Sequence, residues 1–167
     1  MGFIIGRTLQ LPIGPRTLLY VGGPNAGVLH ELVADPGELT AAELYDRYVT
    51  ELLAVIDEHG LETVAERANV ERSKLRALSK GEGSDLTLEE AAEVFALSAE
   101  PDGETIALLA RDELLMGMTT AVLDVEAVES GLNGELEARE IQSKIEGRYP
   151  MTLREFALLY GYIDGAR

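Results

Sequence analysis

Residues 60–81 read Gly60-Leu61-Glu62-Thr63-Val64-Ala65-Glu66-Arg67-Ala68-Asn69-Val70-Glu71-Arg72-Ser73-Lys74-Leu75-Arg76-Ala77-Leu78-Ser79-Lys80-Gly81. Val64, Ala65 and Ala68, then Leu75 and Leu78, recur at the three- and four-residue spacing of an α-helix. Asn69 stands between the two sets, and asparagine tolerates the left-handed backbone of a tight turn. Gly60 and Gly81 sit where a left-handed residue stops a helix. The pattern predicts a helix over Glu62–Ala68, a turn at Asn69 and a helix over Arg72–Lys80.

Further helices follow on both sides. Thr40 and Glu43 form a capping box that opens a helix with Leu44, Tyr48, Leu52 and Val55/Ile56 inward. His59 falls in its last turn, where a cation suits the helix dipole, a structural role rather than a catalytic one. Gly81 and Gly83 end the third helix. Thr87 with Glu90 opens a helix through Leu97, with Leu88, Ala91/Ala92 and Phe95 inward. Pro101-Asp102 then punctuates, and Asp102 caps a long helix over Gly103–Glu129, bent at Gly117. A helix over Glu137–Glu146 follows. Thr152 with Glu155 opens the last one, with Leu153, Phe156 and Leu159/Tyr160 apolar. No strand pattern appears after residue 30, so the fold class is all-α.

The run Leu52–Leu97 resembles the Cro/C1-type helix-turn-helix family. Ala65 matches the small residue at the helix crossing, Asn69 the turn, and Val70, Leu75 and Leu78 the residues that seat the recognition helix. The resemblance implies a helical bundle that binds DNA as a dimer. The chain departs from the family in the link before Ala65, which is about two residues short, at Leu61, where glutamine is usual, and at Ser79, where glutamate is usual. Without that glutamine the usual phosphate contact at the start of the second helix is missing.

An internal echo lies downstream. Ala54-Val55-Ile56-Asp57 matches Ala121-Val122-Leu123-Asp124, Arg72 matches Arg139 and Leu78 matches Ile145, all at an offset of 67. Leu86-Thr87-Leu88-Glu89-Glu90 matches Met151-Thr152-Leu153-Arg154-Glu155 at 65. The reading is a tandem repeat with a degenerate second copy, joined by a long central helix. It divides the chain into an N-terminal extension (1–28), a helix-turn-helix-like unit (29–100), and the long helix with a second unit (101–167). From Leu29 onward the chain also resembles a haloarchaeal family of acidic helical proteins of unknown activity. The stretches Leu115-Met116-Gly117-Met118-Thr119-Thr120-Ala121-Val122-Leu123-Asp124-Val125, Lys144-Ile145-Glu146-Gly147-Arg148 and Pro150-Met151-Thr152-Leu153 carry that resemblance.

Composition sets the chemistry available. The 167 residues include 30 acids against 14 Lys and Arg, for a net charge of −16, and only three lysines, Lys74, Lys80 and Lys144. Such a surface suits a salt-loaded cytoplasm, where about 1 M salt screens charges within ~3 Å. The absence of cysteine excludes disulfides and thiolate chemistry. His30 and His59 are the only imidazoles, and no His-x-x-x-His or His-Glu-x-x-His pattern is present. No cofactor or metal is expected, and no spacing singles out a catalytic acid/base pair or a Ser/His pair, so an enzyme is not expected. No stretch reaches the ~20 apolar residues of a membrane span.

Residues 1–30 carry no Asp or Glu, only Arg7 and Arg16, so all 30 acids lie in residues 31–167. Pro12 and Pro15 break the apolar core a signal peptide needs. This segment reads as a mobile tail, or as sequence upstream of a true start at Val28. Gly22-Gly23-Pro24-Asn25-Ala26-Gly27 lacks the Gly-Lys-Ser/Thr ending of a phosphate loop.

Arg72, Lys74, Arg76 and Lys80 fall within nine residues of this acidic chain. With Leu75 and Leu78 inward, they face outward together with Ser73, as a groove-reading helix requires. The expected function is DNA binding as a transcriptional regulator, through Arg72, Ser73, Lys74, Arg76 and Lys80, with double-stranded DNA and a second copy as partners. A purely ionic mode is excluded by magnitude. Four phosphate contacts give a salt slope of about −3.6, so moving from ~0.2 M to ~3 M salt would cost about 10⁴-fold in affinity. The alternative is an interaction or scaffold module without DNA binding, using Leu115, Met116 and Met118 against a protein partner or a second copy. Its basis is that Glu62, Glu66 or Glu71 could neutralise the cations.

Overall fold

Thr40, Thr87 and Thr152 each accept the backbone N–H of the residue three positions on, and the glutamates there reach back to the threonine N–H. The three expected capping boxes therefore all form. The computed structural model describes residues 29, 32–82, 86–98 and 102–167. These contain eight α-helices: α1 Ala41–His59, α2 Leu61–Ala68, α3 Arg72–Ser79, α4 Leu88–Phe95, α5 Gly103–Ala121, α6 Val125–Gly131, α7 Ala138–Ile145 and α8 Leu153–Gly165. No strand occurs among the described residues, and the protein is all-α. The expected extension over 1–28, His30, Gly83 and Pro101 lie outside the described residues.

The turns form as the residue types predict. Gly60 ends α1 with φ 88°, and Asn69 takes φ 58°, ψ 47° between α2 and α3. One expectation needs correction. The helix expected over Gly103–Glu129 is two helices. Val122 turns left-handed at φ 57°, and Asp124 caps the next helix by accepting from Ala127 N–H at 2.8 Å. Helix α5 runs on through Gly117, whose missing side chain makes room for Ile163, which a Cβ there would meet at 2.6 Å.

The break after α5 reveals the repeat. Helices α5–α8 recapitulate α1–α4 at offsets of 62, 64, 66 and 65. At an offset of 62, buried Leu44, Tyr45, Tyr48, Leu52, Val55 and Ile56 fall on buried Ile106, Ala107, Ala110, Leu114, Gly117 and Met118. Asn69 matches Asn133, also left-handed at φ 57°, and Gly81 at φ 75° matches Gly147 at φ 81°. Thus α5 is the first helix of the second copy rather than a connector. The echo of 54–57 in 121–124 is not part of the register, since the first lies inside α1 and the second spans the break.

The halves interlock. Helix α1 packs most extensively on α8, and α4 on α5. Between them Thr87 and Thr152 form an antiparallel bridge. Leu88 N–H donates to the Met151 carbonyl at 2.7 Å, and Leu153 N–H to the Leu86 carbonyl at 2.9 Å. Matched residues thus exchange matched bonds, as across a two-fold axis. Tyr48, Phe156 and Tyr160 pack ring to ring in the shared core, at 5.9 Å and 5.4 Å.

Candidate nucleic-acid interface

The α2–α3 pair is seated by Val64, Ala65, Ala68, Val70, Leu75 and Leu78, all buried. The turn closes when Val70 N–H donates to the Ala65 carbonyl at 3.1 Å, inside the left-handed step at Asn69. This leaves Arg72, Ser73, Arg76 and Lys80 exposed on α3 and just after it.

Their surroundings differ. Glu62, in the first turn of α2, pairs with Arg72 through its Nε and lies 3.9 Å from the Arg76 guanidinium. Both arginine side chains are 55% exposed, so these are surface pairs worth about 0–1 kcal/mol each. Among the described residues Lys80 has no ion pair, and the Ser73 hydroxyl no hydrogen bond. Lys74 turns inward instead. Its Nζ donates to both carboxylate oxygens of Glu90, at 3.0 and 3.1 Å, and Glu90 is the glutamate of the second capping box. The structure therefore brings four of the five expected residues together on an open face and assigns the fifth to the junction of α3 with α4.

A shallow hollow of about 500 Å³ lies between α2 and α3, lined by Glu62, Glu66, Asn69, Val70, Glu71 and Arg72 among others. Residues 61–82 carry Glu62, Glu66, Glu71 and Glu82 against Arg67, Arg72, Lys74, Arg76 and Lys80, a net of +1 in a chain of −16.

The matching segment of the second copy, residues 125–148, is acidic, with six Glu against Arg139, Lys144 and Arg148. Lys144 Nζ donates to Glu155 at 2.6 Å and to Glu140 at 3.1 Å. Burial disfavours its charge, but the hydrogen bonds it donates to Glu155 and Glu140 outweigh this and raise its pKa. Arg148 pairs with Glu146 at 2.6 Å, which leaves Arg139 exposed on α7. Both copies share a device: a lysine from the third helix, or its counterpart, holds the capping glutamate of the fourth. The signal in the sequence was the pair of capping boxes, but lysine and glutamate lie 16 residues apart in one copy and 11 in the other.

The chain belongs to the DUF5791 family, a family of unknown function. The match covers residues 44–166, all of both copies of the repeat except the first three residues of α1. No curated protein and no solved structure matches the chain.

Other chemistry in this DUF5791 member is sparse. Among the described residues no group of three or more His, Asp or Glu side chains is placed to hold a metal. No helix among them is long and apolar enough to cross a membrane. One Ser/His contact was illegible in the sequence: His59 Nε2 lies 3.0 Å from Ser98 Oγ. That hydroxyl donates to Glu58 at 2.9 Å, so it accepts from His59 and is not poised to lose its proton to the imidazole.

Proposed function

We propose that this protein binds double-stranded DNA, with α3 as the helix that enters the major groove. The observation that carries the reading is the exposed set Arg72, Ser73, Arg76 and Lys80, on a helix whose opposite side is locked by Val70, Leu75 and Leu78. Helices α2 and α3, with the left-handed Asn69 between them, supply the helix-turn-helix support. The acidic remainder fits a cytoplasm rich in salt, where phosphate attraction is weak and base-edge contacts must supply specificity.

Glu62 is the gate in this reading. It sits near where phosphate would approach α2, and it occupies the two arginines. Because exposed ion pairs are weak, base edges can take the guanidiniums from it at small cost.

Selection of bound sequences from a random duplex pool at high KCl tests the proposal. The expected result is one enriched motif that is lost in an Arg72→Ala/Arg76→Ala variant, with Glu62→Gln raising affinity severalfold. With Arg72 and Arg76 on base edges, Lys80 alone is left for phosphates, and the salt slope should be about −0.9. No enriched motif with the wild-type protein would end the reading. The alternative, an interaction module without DNA binding, is supported by one observation: the apolar side chains that α5 leaves exposed.

A further inference from the structure

The repeat supplies an internal comparison for α5. Shifted by 62 residues, α1 and α5 bury the same positions against the same kind of partner helix. Their outward faces differ. Asp46, Ala54 and Gly60 of the first copy stand where Leu108, Met116 and Val122 stand in the second. The fold does not require apolar residues at these three positions, since α1 packs on its partner helix without them; Leu115 alone of the stripe has an apolar counterpart, the half-buried Leu53.

These side chains are well exposed: Leu108 58%, Leu115 47%, Met116 63% and Val122 88%. Leu108, Leu115 and Val122 recur every seven residues, which places them along one line of the helix, about 21 Å long. Thr119 and Thr120 fall among them, and their hydroxyls donate to the Leu115 and Met116 carbonyls at 3.0 and 2.8 Å. Those hydroxyls are satisfied within the helix and need no water.

Val122 is the sharpest case. It takes φ 57°, ψ 51°, a conformation hostile to a β-branched residue, and its match in the first copy is Gly60 at φ 88°. Among the described residues nothing covers the valine side chain to offset this.

The charges sharing this face are of one sign. Glu104 and Asp112 are exposed, and Asp124 and Glu126 lie just beyond its end. The helix's only basic residue, Arg111, is buried and held by Glu89 at 2.5 Å, and nearby Arg167 is held by Glu113 at 2.6 Å. A second copy would set carboxylates against carboxylates. A helix with an apolar stripe and basic flanks would meet both the leucines and the acids.

We propose that the exposed face of α5, centred on Leu108, Leu115, Met116 and Val122, docks a basic amphipathic helix of another protein. Methionine and leucine suit such a surface because their flexible chains repack around a partner.

The test uses the full chain and a fluorescein-labelled peptide of about 18 residues, with leucine at the a and d heptad positions and lysine beside them. A scrambled peptide of equal composition, without a stripe, is the control. Anisotropy titrations should show the striped peptide binding at least tenfold tighter than the scrambled one. Leu108→Ser/Leu115→Ser/Met116→Ser, with helicity checked by circular dichroism, should erase that difference. Asp112→Lys should weaken striped-peptide binding while leaving the apolar residues in place. Val122→Gly should raise Tm by about 2–4 °C and weaken binding severalfold. Equal affinity for the two peptides, or unchanged affinity in the triple-serine variant, would reduce the effect to general charge attraction and overturn the proposal. A micromolar dimer of the wild type that the triple-serine variant abolishes would make the occupant a second copy, and would also overturn it.

Discussion

Lys74 and Arg76 sit two residues apart on α3 and have different roles. The helical period turns both away from Leu75 and Leu78, and that much was legible in the sequence. It could not show that Glu90, already committed to capping α4, lies within 3.0 Å of the Lys74 ammonium. Both side chains of that pair are about a quarter exposed, so removing one partner leaves a partly desolvated charge. Lys74→Gln should therefore cost about 1 kcal/mol of stability in urea unfolding and leave DNA affinity unchanged. Arg76→Ala should stay within about 0.5 kcal/mol in stability and cost about 1–3 kcal/mol in binding to a selected sequence. If Lys74→Gln weakened DNA binding while the fold held, its inward assignment would be wrong.

Among the elements, the helix starts were the most readable part of the chain. A threonine followed three residues later by glutamate is a local signal, and all three such boxes form. The break between α5 and α6 was missed because Ala121-Val122-Leu123 continues the apolar helical pattern. The stop depends on a left-handed valine that propensity disfavours, followed by Asp124 as a cap. The repeat was glimpsed at the fourth helix and set in the wrong register at the first, where buried residues match while their identities do not. Because Thr87 and Thr152 both cap a helix and share a bridge, Thr87→Ala and Thr152→Ala should each cost about 1 kcal/mol. The double variant should depart from the sum of the two, as a double-mutant cycle on thermal unfolding would show.

Helix α7 carries a pH signature. The hydrogen bond from Lys144 holds the Glu140 carboxyl below its ordinary pKa. A lowered pKa contributes stability that is complete above the ordinary glutamate value, about 4.3, and is lost as pH falls through the folded-state value. Lys144, raised, stays charged throughout that range. Wild type should therefore exceed Glu140→Gln by about 0.5 kcal/mol near neutrality, and the gap should close towards pH 3. A gap that persisted at that pH would assign the effect to packing.

For the whole molecule, charge and topology pull in opposite directions. A net charge of −16 on 167 residues favours expansion, and added salt should relieve it. The interlocked packing resists that expansion, because each half supplies the main partner of the other's first helix. The first helix of each half loses its main cover once the other half loosens. Scanning calorimetry across a KCl series should show Tm rising with salt while the van't Hoff and calorimetric enthalpies remain equal at every step. The reciprocal exchange at Thr87 and Thr152 would thus make a protein with two-fold internal architecture melt as one indivisible unit, with no half-unfolded species for a protease to capture.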